Sequence, residues 1–311
     1  MTDTPAPPET VLDVYDLRKS YGSVEALRGL SFSVPRGAFY GFFGRNGAGK
    51  TTTLDIVTGL LSRDRGYVRL LGEEVGMEPS PEVKARFAYV GGHITLYGWM
   101  SLQEHLDFVS GFYPTWDEQR CLELQRMFRL PMDQRVDSVS PGQHVQFQLL
   151  MALSRHPELL ILDEPGNLDP VVRTRLMSAM VEILEAEDTT IIMASHLIDE
   201  LEGICNHMCI IDHGVALTWG PVEMLIEAVR EVHFRGVSDR IQLGPTPILP
   251  DGRAIEGIWY QRYDHGDLVV VMAGYTDEKA DGLAKLLQAQ SYESSRLGLQ
   301  EFFVALTADR D

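Results

Sequence analysis

The strongest constraint on this chain lies in residues 39–61. An apolar run, Phe39-Tyr40-Gly41-Phe42-Phe43, leads into Gly44-Arg45-Asn46-Gly47-Ala48-Gly49-Lys50-Thr51-Thr52 and then into the helical pattern Leu54–Leu61. Strand, glycine-rich loop ending in Lys-Thr, and helix, in that order, are the parts of a phosphate-binding loop. Glycines let the backbone wrap so that successive N–H groups converge on an anion. The helix N-terminus adds a positive partial charge, and Lys50 brings a full one to the distal phosphates. Thr51 offers a hydroxyl to Mg2+, a cation that prefers hard oxygen donors. The plainer alternative, a solvated lysine on a Gly-rich turn, needs neither the strand before the loop nor the helix after it.

Leu159-Leu160-Ile161-Leu162-Asp163-Glu164 is a further apolar strand, ending in two adjacent carboxylates. A doubly wound sheet presents its ligands at such strand ends. Asp163 would hold Mg2+ there, through water, and Glu164 would polarise an attacking water as general base. Two acids capping a turn are the alternative, set against the phosphate loop upstream and a helix-free loop expected from Pro165.

Hydrophobic patterning places these two motifs in an α/β chain. Strands are expected at Val11–Tyr21, Ser31–Val34, Ala38–Phe43, Tyr67–Leu71, Phe87–Val90, Leu159–Leu162, Thr190–Ala194, His207–Asp212 and Val215–Thr218, interleaved with helical patterns. Such alternation predicts a mixed, largely parallel sheet behind an N-terminal antiparallel β subdomain. Between about 100 and 156 three helical patterns (Leu102–Phe112, Asp117–Phe128, Gly142–Arg155) follow one another without a strand, which predicts a helical insertion. Val222–Arg230 reads as a closing helix. The expected division is a flexible 1–10, a main domain 11–230 and a small α+β appendage 231–311, in which strands Val232–Arg235, Ile255–Arg262 and Asp267–Met272 precede a helix Glu278–Gln290 and a closing apolar run Phe302–Leu306.

Composition excludes several classes. A net charge of −18 opposes binding to a phosphate backbone, so nucleic acid is not expected as a partner. No window approaches the roughly 18 to 20 apolar residues of a membrane helix, and Met1–Thr10 is polar and Pro-rich, so a cytoplasmic protein is expected. The three cysteines form no disulfide pattern. Cys205, His207, Cys209 and His213 invite a zinc reading, but Met208-Cys209-Ile210-Ile211 reads better as a buried strand and no CxxC pair is present.

With the two motifs in place, the chain from Val11 to about Arg230 resembles the ATP-binding-cassette (ABC) family. Val139-Ser140-Pro141-Gly142-Gln143 is similar to its signature sequence, Gly166-Asn167-Leu168-Asp169 to its D-loop, and Ser195-His196 to its switch histidine. The resemblance implies a P-loop cassette that binds ATP and Mg2+, hydrolyses ATP, and pairs head to tail as a homodimer or heterodimer. Each ATP would then lie between Gly44–Thr52 of one subunit and Ser140, Gly142, Gln143 and Asp169 of the other. It implies a γ-phosphate contact for His196 and an adenine-stacking role for Tyr21, which an ordinary strand-end tyrosine would also fit. Locally, Ser140 suits a helix N-cap, Pro141 the first helical position, and Ser140-x-x-Gln143 a capping box.

Two departures stand out. Pro141 occupies a usual glycine and removes one N–H. Gly91-Gly92-His93 follow Phe87–Val90 where the family shows a Gln that touches Mg2+ and reports to the membrane partner.

Phe112-Tyr113-Pro114-Thr115-Trp116-Asp117 and Leu299–Leu306 resemble stand-alone ATPase subunits of bacterial export systems. The resemblance therefore implies a separate integral-membrane permease, with this chain peripheral on the inner face of the cell membrane. A soluble ABC ATPase, or a nucleotide-dependent switch not involved in transport, is the alternative.

Overall fold

The computed structural model describes residues 9–92, 94–164, 177–178, 180–181, 189–196, 198–237, 243, 247–248 and 254–308. The chain forms two compact units, Met1–Leu197 with Ile204–Trp219, and Ile198–Gly203 with Gly220–Asp311. Among the described residues no helix is long and apolar enough to cross a membrane.

In chain order the first unit holds β1 (Thr10–Tyr21), β2 (Val24–Pro35), β3 (Phe39–Gly44), α1 (Lys50–Thr58), β4 (Arg65–Leu70), β5 (Glu73–Glu74), α2 (Pro81–Arg86) and β6 (Phe87–Gly91). There follow α3 (Leu102–Ser110), α4 (Glu118–Phe128), α5 (Pro141–Leu153), β7 (Leu159–Asp163), β8 (Thr190–Ser195), β9 (His207–Asp212) and β10 (Val215–Pro221), whose last two residues count with the second unit.

Two sheets result. β1 pairs antiparallel with β2 and β4 in the order β2-β1-β4-β5. Leu30, Phe32 and Val34 of β2 turn inward at alternating positions, Leu27 is buried beyond a register shift, and the strand starts at Val24, well before the expected Ser31. Antiparallel pairing with β1 carries Val24–Gly29 into the sheet although their own sequence has no apolar alternation.

The second sheet has the order β10-β9-β3-β8-β7-β6, with β6, β7, β8, β3 and β9 parallel. All six residues of β3 and all five of β7 are buried, as befits strands covered on both faces. Leu54, Ile56 and Val57 of α1 join the core formed with Phe42, Ile161 and Ala194. Cys209 lies fully buried in β9.

The insertion is helical, as its patterns predict. A capping box starts α3, in which Glu104 N–H donates to Ser101 Oγ (3.1 Å) and Ser101 N–H to Glu104 Oε2 (2.8 Å). Asp117 caps α4 by accepting from Arg120 N–H at 2.9 Å. Leu102, Leu106, Cys121, Leu124, Phe147 and Leu150 supply the buried side chains of the three helices.

The second unit holds α6 (Val222–Glu227), β11 (Val229–Arg235), β12 (Ile258–Asp264), β13 (Asp267–Ala273), α7 (Asp277–Leu287), β14 (Ser291–Ser295) and α8 (Leu299–Thr307). Its sheet is antiparallel in the order β12-β13-β11-β14. Leu283 and Leu287 of α7 pack with Val232, Phe234, Leu268, Val270 and Met272. The helix expected at Val222–Arg230 stops at Glu227, and Val229 begins β11.

Two features of the first unit make direct predictions about stability. Gly49 has φ 108°, and a Cβ there would lie 2.7 Å from Leu27 Cδ2 and 3.0 Å from the Ala26 carbonyl, whereas Gly47, with φ 82°, has open space around it. Gly47→Ala should therefore cost about 1–2 kcal/mol from the left-handed backbone alone, and Gly49→Ala distinctly more, as read by urea unfolding.

Glu158 binds Arg86 (Nη2 at 3.0 Å) and Arg36 (Nη1 at 3.1 Å). Hydrogen bonding from Arg86 outweighs burial and, with Arg36, holds the Glu158 carboxyl below the usual range. A folded value below the unfolded one means stabilisation that is complete above an unfolded pKa of about 4.3 and lost as pH falls through the folded value. Glu158→Gln should flatten the acid limb of the stability curve; an unchanged limb would remove this pair from the account.

Candidate functional site

The parallel register brings four strand ends to one edge. Phe43 lies beside Ser195, Asp163 beside Ala194, and Gly91 beside Asp163. The loop after β3, the acids ending β7 and the histidine after β8 therefore share the carboxyl edge of one sheet, where open α/β sheets place their ligands.

The loop wraps around its own lysine. Lys50 is 4% exposed, and its ammonium donates to the carbonyls of Gly44 (2.8 Å) and Arg45 (3.3 Å). Its third contact is Glu164 Oε1 at 3.0 Å. An ammonium has three donors, and a buried one must use them. Gly49 serves as the N-cap of α1 in a left-handed conformation, with no side chain on the first N–H groups and no acid in the first turn. The helix end is thus left open to an outside anion.

Asn46, Gly47, Gly49, Lys50, Thr51 and Glu164 line a cavity of about 200 Å³. That is below the roughly 300–1,000 Å³ of sites that enclose a whole small molecule, and suits the phosphate end of a nucleotide. Arg45 is exposed, Ala48 buried, and Thr52 half-buried beside Thr51.

Glu164 holds φ 45°, a left-handed conformation that costs a non-glycine residue about 1–3 kcal/mol. Its N–H donates to the Ala194 carbonyl at 3.1 Å, and His196 Nδ1 lies 3.6 Å from Oε1. The structure thus brings Lys50, Glu164 and His196 together. Asp163 is 4% exposed at the end of β7 and accepts from the Tyr89 hydroxyl through Oδ2 at 3.1 Å. Burial and, next, the Asp163 charge push the Tyr89 hydroxyl far above its ordinary pKa, so it remains a donor.

Tyr21 ends β1 half exposed, with the Lys19 ammonium 5.8 Å from its ring centre, and a face of this kind can take a planar ring. At the start of α5 the expected capping box is present. Gln143 N–H donates to Ser140 Oγ (3.2 Å) and Ser140 N–H to Gln143 Oε1 (2.9 Å). The Gln143 side-chain carbonyl is therefore engaged within its own helix end, while Ser140 and Pro141 are exposed and Gly142 half-buried. Asp169 with the rest of Gly166–Asp169, Pro165 and His93 lie outside the described residues.

The residues at the loop fit Mg2+. Thr51 and Asp163 offer hard oxygen donors, and among the described residues no group of three His, Cys, Asp or Glu could hold a metal alone. Mg2+ is commonly held by one or two protein oxygens, with substrate phosphates and water completing its shell. Sequence reasoning missed Tyr89 and Gln148, the latter 4% exposed and accepting from Gly91 N–H at 3.2 Å. Tyr89 stands two residues before Gly91 on the same face of a strand, a signal that period-2 reading contains. Gln148 sits 57 residues from its partner, and no local pattern joins the two.

Comparison with known proteins agrees with this geometry. A family model described as ABC transporter matches residues 27–167. The Nod factor export ATP-binding protein I of Paraburkholderia xenovorans is 33% identical over 70% of this chain and 73% of its own length. The ABC transporter ATP-binding protein YtrB of Bacillus subtilis is 23% identical over 95% of this chain and 97% of its own. Among solved structures, the dimeric bacterial cassette MJ0796 matches with a TM-score of 0.61 at 19% identity, covering 68% of this chain and 98% of that one. Loop, acids and histidine at one sheet edge, together with these similarities, place the chain in the ABC transporter ATP-binding family.

Proposed function

We propose that this chain binds Mg·ATP, hydrolyses it between two head-to-tail copies or relatives, and drives a separate membrane permease. The observation that carries the reading is Lys50 Nζ at 3.0 Å from Glu164 Oε1 beside the cavity of Thr51 and Gly47. The Glu164 carboxylate makes the contact with Lys50 that a distal phosphate would make. Phosphate oxygens entering there pair with Lys50 and the N–H groups of Gly47–Thr51, and they free Glu164 to accept a proton from water. His196, beside Glu164, is placed to orient that water and contact the γ-phosphate. Thr51 and Asp163 would hold the Mg2+, which when bound neutralises developing phosphate charge. Tyr21 would stack on the adenine.

Ser140 and Gly142, at an exposed helix N-terminus, would face the nucleotide of the other copy, as would Asp169; the dimeric form of MJ0796 supports that pairing. Gln143 contributes by fixing the helix end. A groove of about 520 Å³, lined by Tyr97, Phe108, Tyr113 and Met151 and flanked by exposed Trp99 and Phe112, supports docking of an apolar permease segment. With no membrane-crossing helix among the described residues, membrane attachment would come through that permease, on the cytoplasmic face. Export is the direction suggested by the name of the Nod factor protein. The net charge of −18 argues against nucleic acid as a partner.

Lys50→Ala should weaken ATP binding about tenfold to hundredfold, the loss expected for charged hydrogen bonds; retained affinity in a titration would refute the loop assignment. Glu164→Gln should slow hydrolysis about 10²–10⁴-fold while light scattering shows an ATP-bound dimer. Hydrolysis at the wild-type rate would take Glu164 out of the reaction. Recovery of no multi-span protein with the chain from native membranes would favour a soluble ATPase or a switch.

A further inference from the structure

Gln148 lies on α5, eight residues after Ser140 and well inside the helix, in a position 4% exposed. Its side-chain carbonyl accepts from Gly91 N–H at 3.2 Å, and its amide nitrogen lies 3.3 Å from His144 Nδ1. An amide nitrogen only donates, so His144 Nδ1 accepts and the imidazole carries its proton on Nε2. Burial pushes the His144 pKa down, which keeps the ring in the neutral form that this contact needs.

Gly91 is not a passive end of β6. It lies directly beside Asp163, and a Cβ on it would come within 2.8 Å of the Tyr89 hydroxyl and 3.2 Å of Asp163 Cβ. Tyr89 in turn donates to Asp163. One hydrogen-bonded chain therefore runs from His144, four residues after the N-cap of α5, through Gln148 to the Gly91 peptide that packs on Asp163.

We propose that Gln148 is a positioning residue, tying the signature helix α5 to the β6 end and so fixing Asp163 when the signature engages nucleotide. The proposal rests on the hydrolysis reading above. Its physical content is that a buried polar link between two elements transmits displacement only while every member stays bonded. Loss of the carbonyl would leave the buried Gly91 N–H unpaired and let α5 and β6 move independently.

The test uses the full chain and compares Gln148→Met with Gln148→Glu. Methionine keeps the length and burial without the acceptor; glutamate keeps an acceptor for Gly91, and His144 can answer its second oxygen by carrying the ring proton on Nδ1 in place of Nε2. Gln148→Met should lower kcat about tenfold while the Kd for ATP, measured without turnover, stays within twofold of wild type; Gln148→Glu should recover kcat to within about threefold. Should Gln148→Met fail to fold, Gln148→Asn, polar but one methylene short of Gly91, must show the same kcat loss. Wild-type kcat in the folded variant overturns the positioning role alone, as does an equal loss of affinity and kcat. A wild-type chain that binds ATP and never turns it over overturns the hydrolysis reading and this one with it.

Discussion

The charge on Lys50 organises the site. A buried ammonium is tolerable only when its donors are used, and here two loop carbonyls and the Glu164 carboxylate use them. These contacts join the loop carbonyls and the residue after β7 to the start of α1, and Glu164 makes its contact from a left-handed conformation. The sheet makes it possible, because parallel β3, β7 and β8 deliver the loop, the acids and His196 to the same edge. The carboxylate that balances Lys50 is the same one proposed above as the water-activating base.

Much of this was legible in the sequence, for a physical reason. The phosphate loop is local: strand, turn and helix are contiguous, and the glycines sit where the backbone needs positive φ, at Gly47 and Gly49. The capping boxes at Ser101 and Ser140 are equally local, each spanning one turn. The apolar run ending in Asp163-Glu164 announced a buried strand with charges at its end, and the register shows why that end lies near Lys50.

What escaped depends on distant or weak signals. Val24–Gly29 show no apolar alternation, yet pairing with β1 makes them strand. β14, Ser291–Ser295, is a polar edge strand with no hydrophobic alternation to reveal it, and α2 is a single short helix whose only herald is Ser80-Pro81. The closing apolar run proved to lie within the helix Leu299–Thr307, where Phe302 is buried against Trp259 and Val304 is exposed. Val222–Glu227 has helical composition, but nothing in six residues says which unit it joins. The polar chain through Gln148 is the clearest case, because its meaning arises only when α5 and β6 are side by side.

The central claim is that triphosphate takes the place of Glu164 on Lys50. The most direct measurement is a crystal structure of the Glu164→Gln dimer, or of the wild-type chain with a non-hydrolysable ATP analogue and Mg2+. The account predicts Lys50 Nζ within about 3 Å of β- and γ-phosphate oxygens, with residue 164 withdrawn toward a water in line with the γ-phosphate. A nucleotide bound elsewhere, with Lys50 still held by the carboxylate as at 3.0 Å here, would contradict it.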